Sequence, residues 1–160
     1  MNDPVIATLV FAYHEPESLL KLVEKMCKLG PIFIHINQQI DDAPFRSELA
    51  ALSSNVVFLP NRYSTAWGTG ELAFSILESM GWILENASDS FDYLFNCSGQ
   101  DYPIQSSSHF KETFGQSQCE WIDSDPVSAQ KETRFRYGYK CSKDRSLRLY
   151  LLRKLERFKR

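Results

Sequence analysis

The chain has 160 residues, of which 43% are hydrophobic and 24% are charged, a composition ordinary for one globular domain. The first apolar run, residues 5–13, is too short to cross a bilayer and does not resemble a secretory leader. Four widely spaced cysteines without zinc spacing favour reduced thiols in a cytoplasmic protein over a disulfide framework or a metal site. Residues 140–160 carry a net charge of +7, which leaves −9 for residues 1–139 and disfavours nucleic-acid binding.

Apolar runs of strand length alternate along the chain with segments of helical periodicity. Residues 5–13 are β-branched and aromatic, which predicts a central parallel strand. Pro16 then opens a helix with apolar residues at 3–4 spacing, Gly30-Pro31 ends it, and residues 32–36 form a second strand. The further predicted elements are a helix over 44–52, a strand over 56–59, a helix over 69–86, a strand over 93–95 closed by Ser98-Gly99, a helix over 106–115, a strand over 119–123 and a basic amphipathic helix over 143–160. This order predicts an α/β fold with a mainly parallel, Rossmann-like sheet flanked by helices.

The helix over 69–86 is predicted to face the core. The residues at 3–4 spacing are Leu72, Ser75, Ile76, Ser79, Met80 and Ile83, and Trp82 and Leu84 widen the apolar face. The strand over 93–95 has no polar alternation, which predicts burial on both faces.

Polar side chains follow each predicted strand. His14 follows the first strand, Asn37 the second, the loop 61–68 the third, and Asp101-Tyr102 the fourth. Ligands of open α/β sheets bind outside the carboxyl ends of the strands, so this pattern predicts a ligand crevice there. Position alone also allows ordinary roles: a loop histidine, a turn asparagine, a solvated arginine at position 62 and a tryptophan at position 67 that packs the loop on the core.

The segment S-G-Q-D-Y-P-I at 98–104 resembles the signature of the core-2/I-branching glycosyltransferases, glycosyltransferase family 14, which includes the peptide O-xylosyltransferases. Other segments are similar in order and spacing: the His14 region, I-H-I-N at 34–37, Trp67-Gly68 and the strand at 119–123. The chain departs from the family at Asn37, where relatives have an aspartate that contacts the nucleotide. The resemblance covers about residues 5–123, the nucleotide-binding half of such enzymes.

The resemblance implies a type A nucleotide-diphospho-sugar fold and transfer, with inversion, of GlcNAc or xylose from a UDP-sugar to a hydroxyl of a glycan or protein acceptor. It implies no metal and no cofactor other than the donor. A lone carboxylate at Asp101 also makes a poor cage for a divalent ion. The nucleotide-sugar contacts that we expect on this basis are Ala12, His14, Asn37, Ser64, Trp67 and Asp101, and the further substrate contacts are Tyr102 and Arg62.

Residues 1–139 are accordingly expected to form the nucleotide-sugar-binding domain. Residues 140–160 are expected to begin an acceptor and catalytic segment, with the general base beyond Arg160. The basic helix at 143–160 also fits packing on the sheet or lying on an anionic membrane surface. Alternatives for the whole chain are a truncated, catalytically silent nucleotide-binding or interaction module, and a flavodoxin-like regulatory domain. P-loop and dinucleotide motifs do not occur in the sequence.

Overall fold

A computed structural model describes residues 3–52, 54–65 and 70–116 of the chain. The predicted strand at 119–123, the Trp67-Gly68 pair and the segment 140–160 with its predicted helix lie outside the described residues. The helices and strands are β1 (Ile6–Ala12), α1 (Pro16–Met26), β2 (Ile32–Ile36), α2 (Ala43–Glu48), β3 (Val56–Phe58), α3 (Glu71–Ala87), β4 (Tyr93–Ser98) and α4 (Ser107–Gln116). Short 3-10 helices follow α2 at Ala50–Leu52 and α3 at Ser88–Ser90. None of the described helices is long and apolar enough to cross a membrane.

The four described strands form one parallel sheet in the order β3-β2-β1-β4. β1 is central: Leu9 lies beside Phe33 of β2 on one side and beside Asn96 of β4 on the other. All seven side chains of β1 are buried, which is why its sequence is apolar without alternation. The α/β class and the parallel sheet expected from the sequence are therefore confirmed.

Helices cover both faces of this sheet. One face packs on α1, α2 and α4 through a core that includes Leu19, Leu22, Phe45 and Phe110. The other face packs on α3 through Ile76, Met80 and Ile83. Each large apolar side chain buried in this way contributes about 1.5–3 kcal/mol before the entropy of ordering it is subtracted.

The expected apolar face of α3 is wrong in part. Leu72 and Leu84 are 44% and 54% exposed, whereas Ile83 is fully buried. The buried stripe runs through Ser75, Ser79 and Ile83, four residues apart. Leu84 is rotated by about 100° from Ile83 around the helix, so its side chain leaves the sheet.

The expectation that β4 is buried on both faces is also wrong. Tyr93, Leu94 and Phe95 are half-buried, and Asn96 is exposed. Among the described strands β4 has a single neighbour, β1, so it is less enclosed than the central strand.

Candidate functional site

The carboxyl ends of the parallel strands meet at one edge of the sheet, which we call the carboxyl edge. From β1 the chain passes to β2 and β3 on one side, and then to β4 on the other. The gap between the ends of β1 and β4 is therefore a topological switch point, the place where open α/β sheets bind ligands. The loops that meet there are residues 13–15 after β1 and 99–101 after β4.

These two loops are in direct contact. Gly99 donates its backbone N–H to the Phe11 carbonyl over 2.7 Å, and the Tyr13 hydroxyl donates to the Gln100 side-chain oxygen over 3.2 Å. A Cβ placed on Gly99 would lie 3.0 Å from the Ala12 Cβ, so any larger residue at this position would require the two strand ends to shift apart slightly. Ala12 itself is buried, its Cβ faces Gly99, and its carbonyl accepts the Asn37 N–H over 3.1 Å.

The turn from β1 into α1 presents His14 to solvent. The His14 ring is exposed and lies 4.3 Å from the Tyr13 ring, centroid to centroid. Glu15 adopts a left-handed conformation with φ 50°, unusual for a residue other than glycine. Its carbonyl accepts the Ser18 and Leu19 N–H groups, and its carboxylate accepts the Ser18 hydroxyl over 3.0 Å. Strained backbone of this kind concentrates at functional sites.

Asn37 joins three segments at the end of β2. Its amide nitrogen donates to the Thr65 hydroxyl over 2.7 Å, and its amide oxygen accepts the Gln39 N–H over 3.0 Å. Its backbone N–H donates to the Ala12 carbonyl over 3.1 Å. Asn37 is thus placed at the carboxyl edge, and its direct partner in the loop after β3 is Thr65, the neighbour of Ser64.

Arg62 holds the loop that follows β2. The guanidinium donates to the carbonyls of Ile36 over 3.3 Å and Asn37 over 2.9 Å, and also to the Ile40 carbonyl. It also pairs with Asp42 at 3.3 Å. Hydrogen bonding to Arg46 and the charges of both arginines hold the pKa of Asp42 below its usual value, although burial opposes this. Each guanidinium nitrogen of Arg62 therefore has a partner within the protein.

His35 is a site residue that the sequence did not single out. It is 1% exposed, its Nε2 accepts the Tyr63 backbone N–H over 2.8 Å, and its ring stacks between Phe11 and Tyr63. Burial lowers the pKa of His35 to about 4, with a further lowering by the charge of Arg62 and an opposing backbone hydrogen bond. The neutral imidazole thus anchors the loop after β3 to β2. The signal in the sequence that could have identified His35 is a single histidine within an otherwise apolar strand.

Asp101 closes the turn after β4, and both Asp101 and the adjacent Tyr102 line a cavity beside α1. The Asp101 carboxylate accepts the Ser98 N–H over 2.7 Å, and the Asp101 N–H donates to the Ser98 carbonyl over 3.0 Å, which closes the turn after β4. Tyr102 is 54% exposed and lines a cavity with Leu22 and Met26 of α1.

The structure therefore brings most of the expected contacts to one edge: Ala12, His14, Asn37, Ser64 and Asp101. Arg62 is beside them and faces the protein, Tyr102 lines a cavity that Asp101 also lines, and Trp67 lies outside the described residues. In the described part of the chain, no group of three His, Cys, Asp or Glu side chains is arranged to hold a metal ion. No protein-family model matches the chain, and no curated protein matches it.

Proposed function

We propose that the chain binds a UDP-sugar at the carboxyl edge and acts as a metal-independent glycosyltransferase that passes GlcNAc or xylose to an acceptor hydroxyl. The observation that carries the proposal is the meeting of the 98–101 turn, within the S-G-Q-D-Y-P-I segment, with the loop after β1 at the switch point. That is where a doubly wound sheet offers a crevice to a nucleotide.

The loop contacts support a preformed donor site. Asn37 and Arg62 bond to neighbouring loops, and Asp101 closes its own turn by accepting the Ser98 N–H, so these contacts fix the walls of the edge. A rigid site loses less entropy on binding than one that must order its loops. Exposed His14 can donate a hydrogen bond to the diphosphate, and developing charge on the leaving UDP needs such a donor.

The first test is calorimetric titration of the full chain with UDP, UDP-GlcNAc and UDP-xylose, each with and without EDTA. We expect binding that EDTA does not change. His14→Ala should bind about tenfold more weakly, because it removes one charge-assisted hydrogen bond to the diphosphate. The matched control is His109→Ala on α4, another exposed histidine remote in sequence from the edge, which should bind as the unchanged chain does. Absence of heat with all three ligands would refute the donor site, and strict dependence on a divalent ion would refute the metal-independent mechanism.

A second candidate is a catalytically silent nucleotide-binding or interaction module. The bonding of Asn37 favours it: an amide replaces the aspartate that relatives have, and both of its polar atoms already have protein partners. Both candidates bind UDP, so turnover separates them. Release of UDP together with a glycosylated acceptor supports the transferase, whereas donor binding without product supports the silent module.

A further inference from the structure

A two-chambered cleft lies on the sheet face that α1 and α4 cover. Its inner chamber, about 360 Å³, is lined by Leu22, Met26, Phe95, Cys97 and Phe110. Its outer chamber, about 510 Å³, is lined by Lys25, Lys28 and the serines 106–108. Met26, Phe110 and the loop 102–105 line both chambers, so the two chambers adjoin.

The inner chamber is apolar. Leu22 and Met26 are each 2% exposed, and the Phe95 and Phe110 rings meet edge to face at 6.2 Å. Burial, aided by the negative charge of Asp101, raises the pKa of the Cys97 thiol to about 12, so the thiol is neutral at physiological pH. The chamber volume falls in the range of small-ligand pockets, which are mostly apolar with a few polar groups at one end.

The outer chamber is cationic. Lys25 in the last turn of α1 and Lys28 just after the helix are exposed, and neither forms an ion pair with another described residue. The Ser106 and Ser108 hydroxyl oxygens lie 2.8 Å apart and offer donors beside the lysines. Asp101, on the wall of the inner chamber, repels an anion. Electrostatics therefore favours one orientation, with a negative group at the lysines and an apolar group inside.

We propose that this cleft binds a single-chain amphiphile, with its hydrocarbon tail in the inner chamber and its anionic headgroup beside Lys25 and Lys28. The cleft shares Asp101 and Tyr102 with the expected donor and substrate contacts, whereas the lysines, serines and apolar side chains that would hold the amphiphile are not among those contacts. Ile104 is 94% exposed where both chambers meet, an apolar side chain that a bound tail would cover.

The test is calorimetric titration of the full chain with decanoate below its critical micelle concentration. Decanol, which has the same hydrocarbon chain but no charge, is titrated in parallel. We expect both to bind, and Lys25→Gln/Lys28→Gln to weaken decanoate about fivefold while leaving decanol unchanged, as for two partly screened surface charges. The matched control is Lys21→Gln, which is on α1 but lines neither chamber and should bind decanoate normally.

Nuclear Overhauser contacts then locate the tail. We expect them between decanoate methyl protons and the methyl groups of Leu22 and Met26. Contacts confined to other residues, equal decanoate affinity in the double lysine variant, or no decanoate binding would each overturn the proposal. Decanoate would fail to bind if residues 117–160 themselves occupied the cleft. Binding to phosphatidylserine vesicles without binding of monomeric decanoate would likewise overturn it, because the ligand would then be a lipid surface.

Discussion

Single polar residues at the carboxyl edge join loops that come from distant parts of the sequence. Asn37 links the end of β2 to Thr65, and Tyr13 links the loop after β1 to Gln100. These contacts are between side chains 28 and 87 residues apart, so the spacing of residues in the sequence does not reveal them. Their consequence is a site whose walls are set by the protein itself.

Gly99 is the tightest of these positions. A methyl group there would lie 3.0 Å from the Ala12 Cβ and 3.2 Å from the Ala12 Cα, and Ala12 is held in the central strand. We expect Gly99→Ala to separate the two loops and to lower the free energy of unfolding by about 1–3 kcal/mol, the usual cost of overpacking. Urea unfolding followed by circular dichroism measures the change.

Gly115→Ala on α4 is the matched control. The added methyl would approach a proline ring at 3.3 Å, near the end of the helix, where alanine also has the better helix propensity. The two effects oppose each other, so we expect a change of less than about 1 kcal/mol. If Gly99→Ala cost no more than this control, the close approach of the two loops would not be structurally important.

At the scale of elements, α1 and α3 show how well the spacing of apolar residues predicts which face of a helix is buried. In α1 the apolar residues form a single stripe, and the four that the spacing selects are the four that are buried: Leu19, Leu22, Val23 and Met26. In α3 the spacing selects the buried residues Ser75, Ser79 and Ile83, but it also selects Leu72, and the expected apolar face extends to Leu84, both of which are exposed. Which of the large apolar side chains of α3 face the sheet is visible only in the structure.

Neighbouring residues of α3 give a sharp test of that orientation. Ile83 is fully buried and Leu84 is 54% exposed. Ile83→Ala should lower the free energy of unfolding by about 2–5 kcal/mol because it leaves a cavity against the sheet. Leu84→Ala should change it by at most about 0.5 kcal/mol. Denaturant unfolding of the two variants measures both values, and equal losses would mean that α3 is rotated about its axis.

For the whole molecule, alternating strands and helices were enough to predict the parallel sheet and the convergence of His14, Asn37 and Asp101 at one edge. The sequence could not give the strand order, because that order depends on which side of β1 each crossover returns to. It could not give the role of His35 either, since the bond to Tyr63 spans 28 residues. Local pattern determines elements, whereas non-local contacts determine the site.

His35 links the stability of the whole fold to pH. In the unfolded chain the imidazole has its ordinary pKa of 6.5, whereas burial holds it at about 4 in the folded protein. Between these values the unfolded state binds more protons, so stability is fully present above pH 6.5 and falls as the pH falls towards 4. The difference between the two pKa values corresponds to a loss of about 3 kcal/mol in the free energy of unfolding.

His35→Gln isolates this contribution. Glutamine keeps an acceptor for the Tyr63 N–H but does not titrate, so the variant should be less stable at neutral pH through lost ring stacking. As the pH falls from 6.5 to 4, the free energy of unfolding of the variant should decrease by about 3 kcal/mol less than that of the unchanged protein. Urea unfolding at several pH values in this window gives both curves. His14→Gln, which replaces an exposed histidine, should follow the unchanged protein. Parallel curves for His35→Gln and the unchanged protein would show that the buried imidazole does not couple folding to protonation.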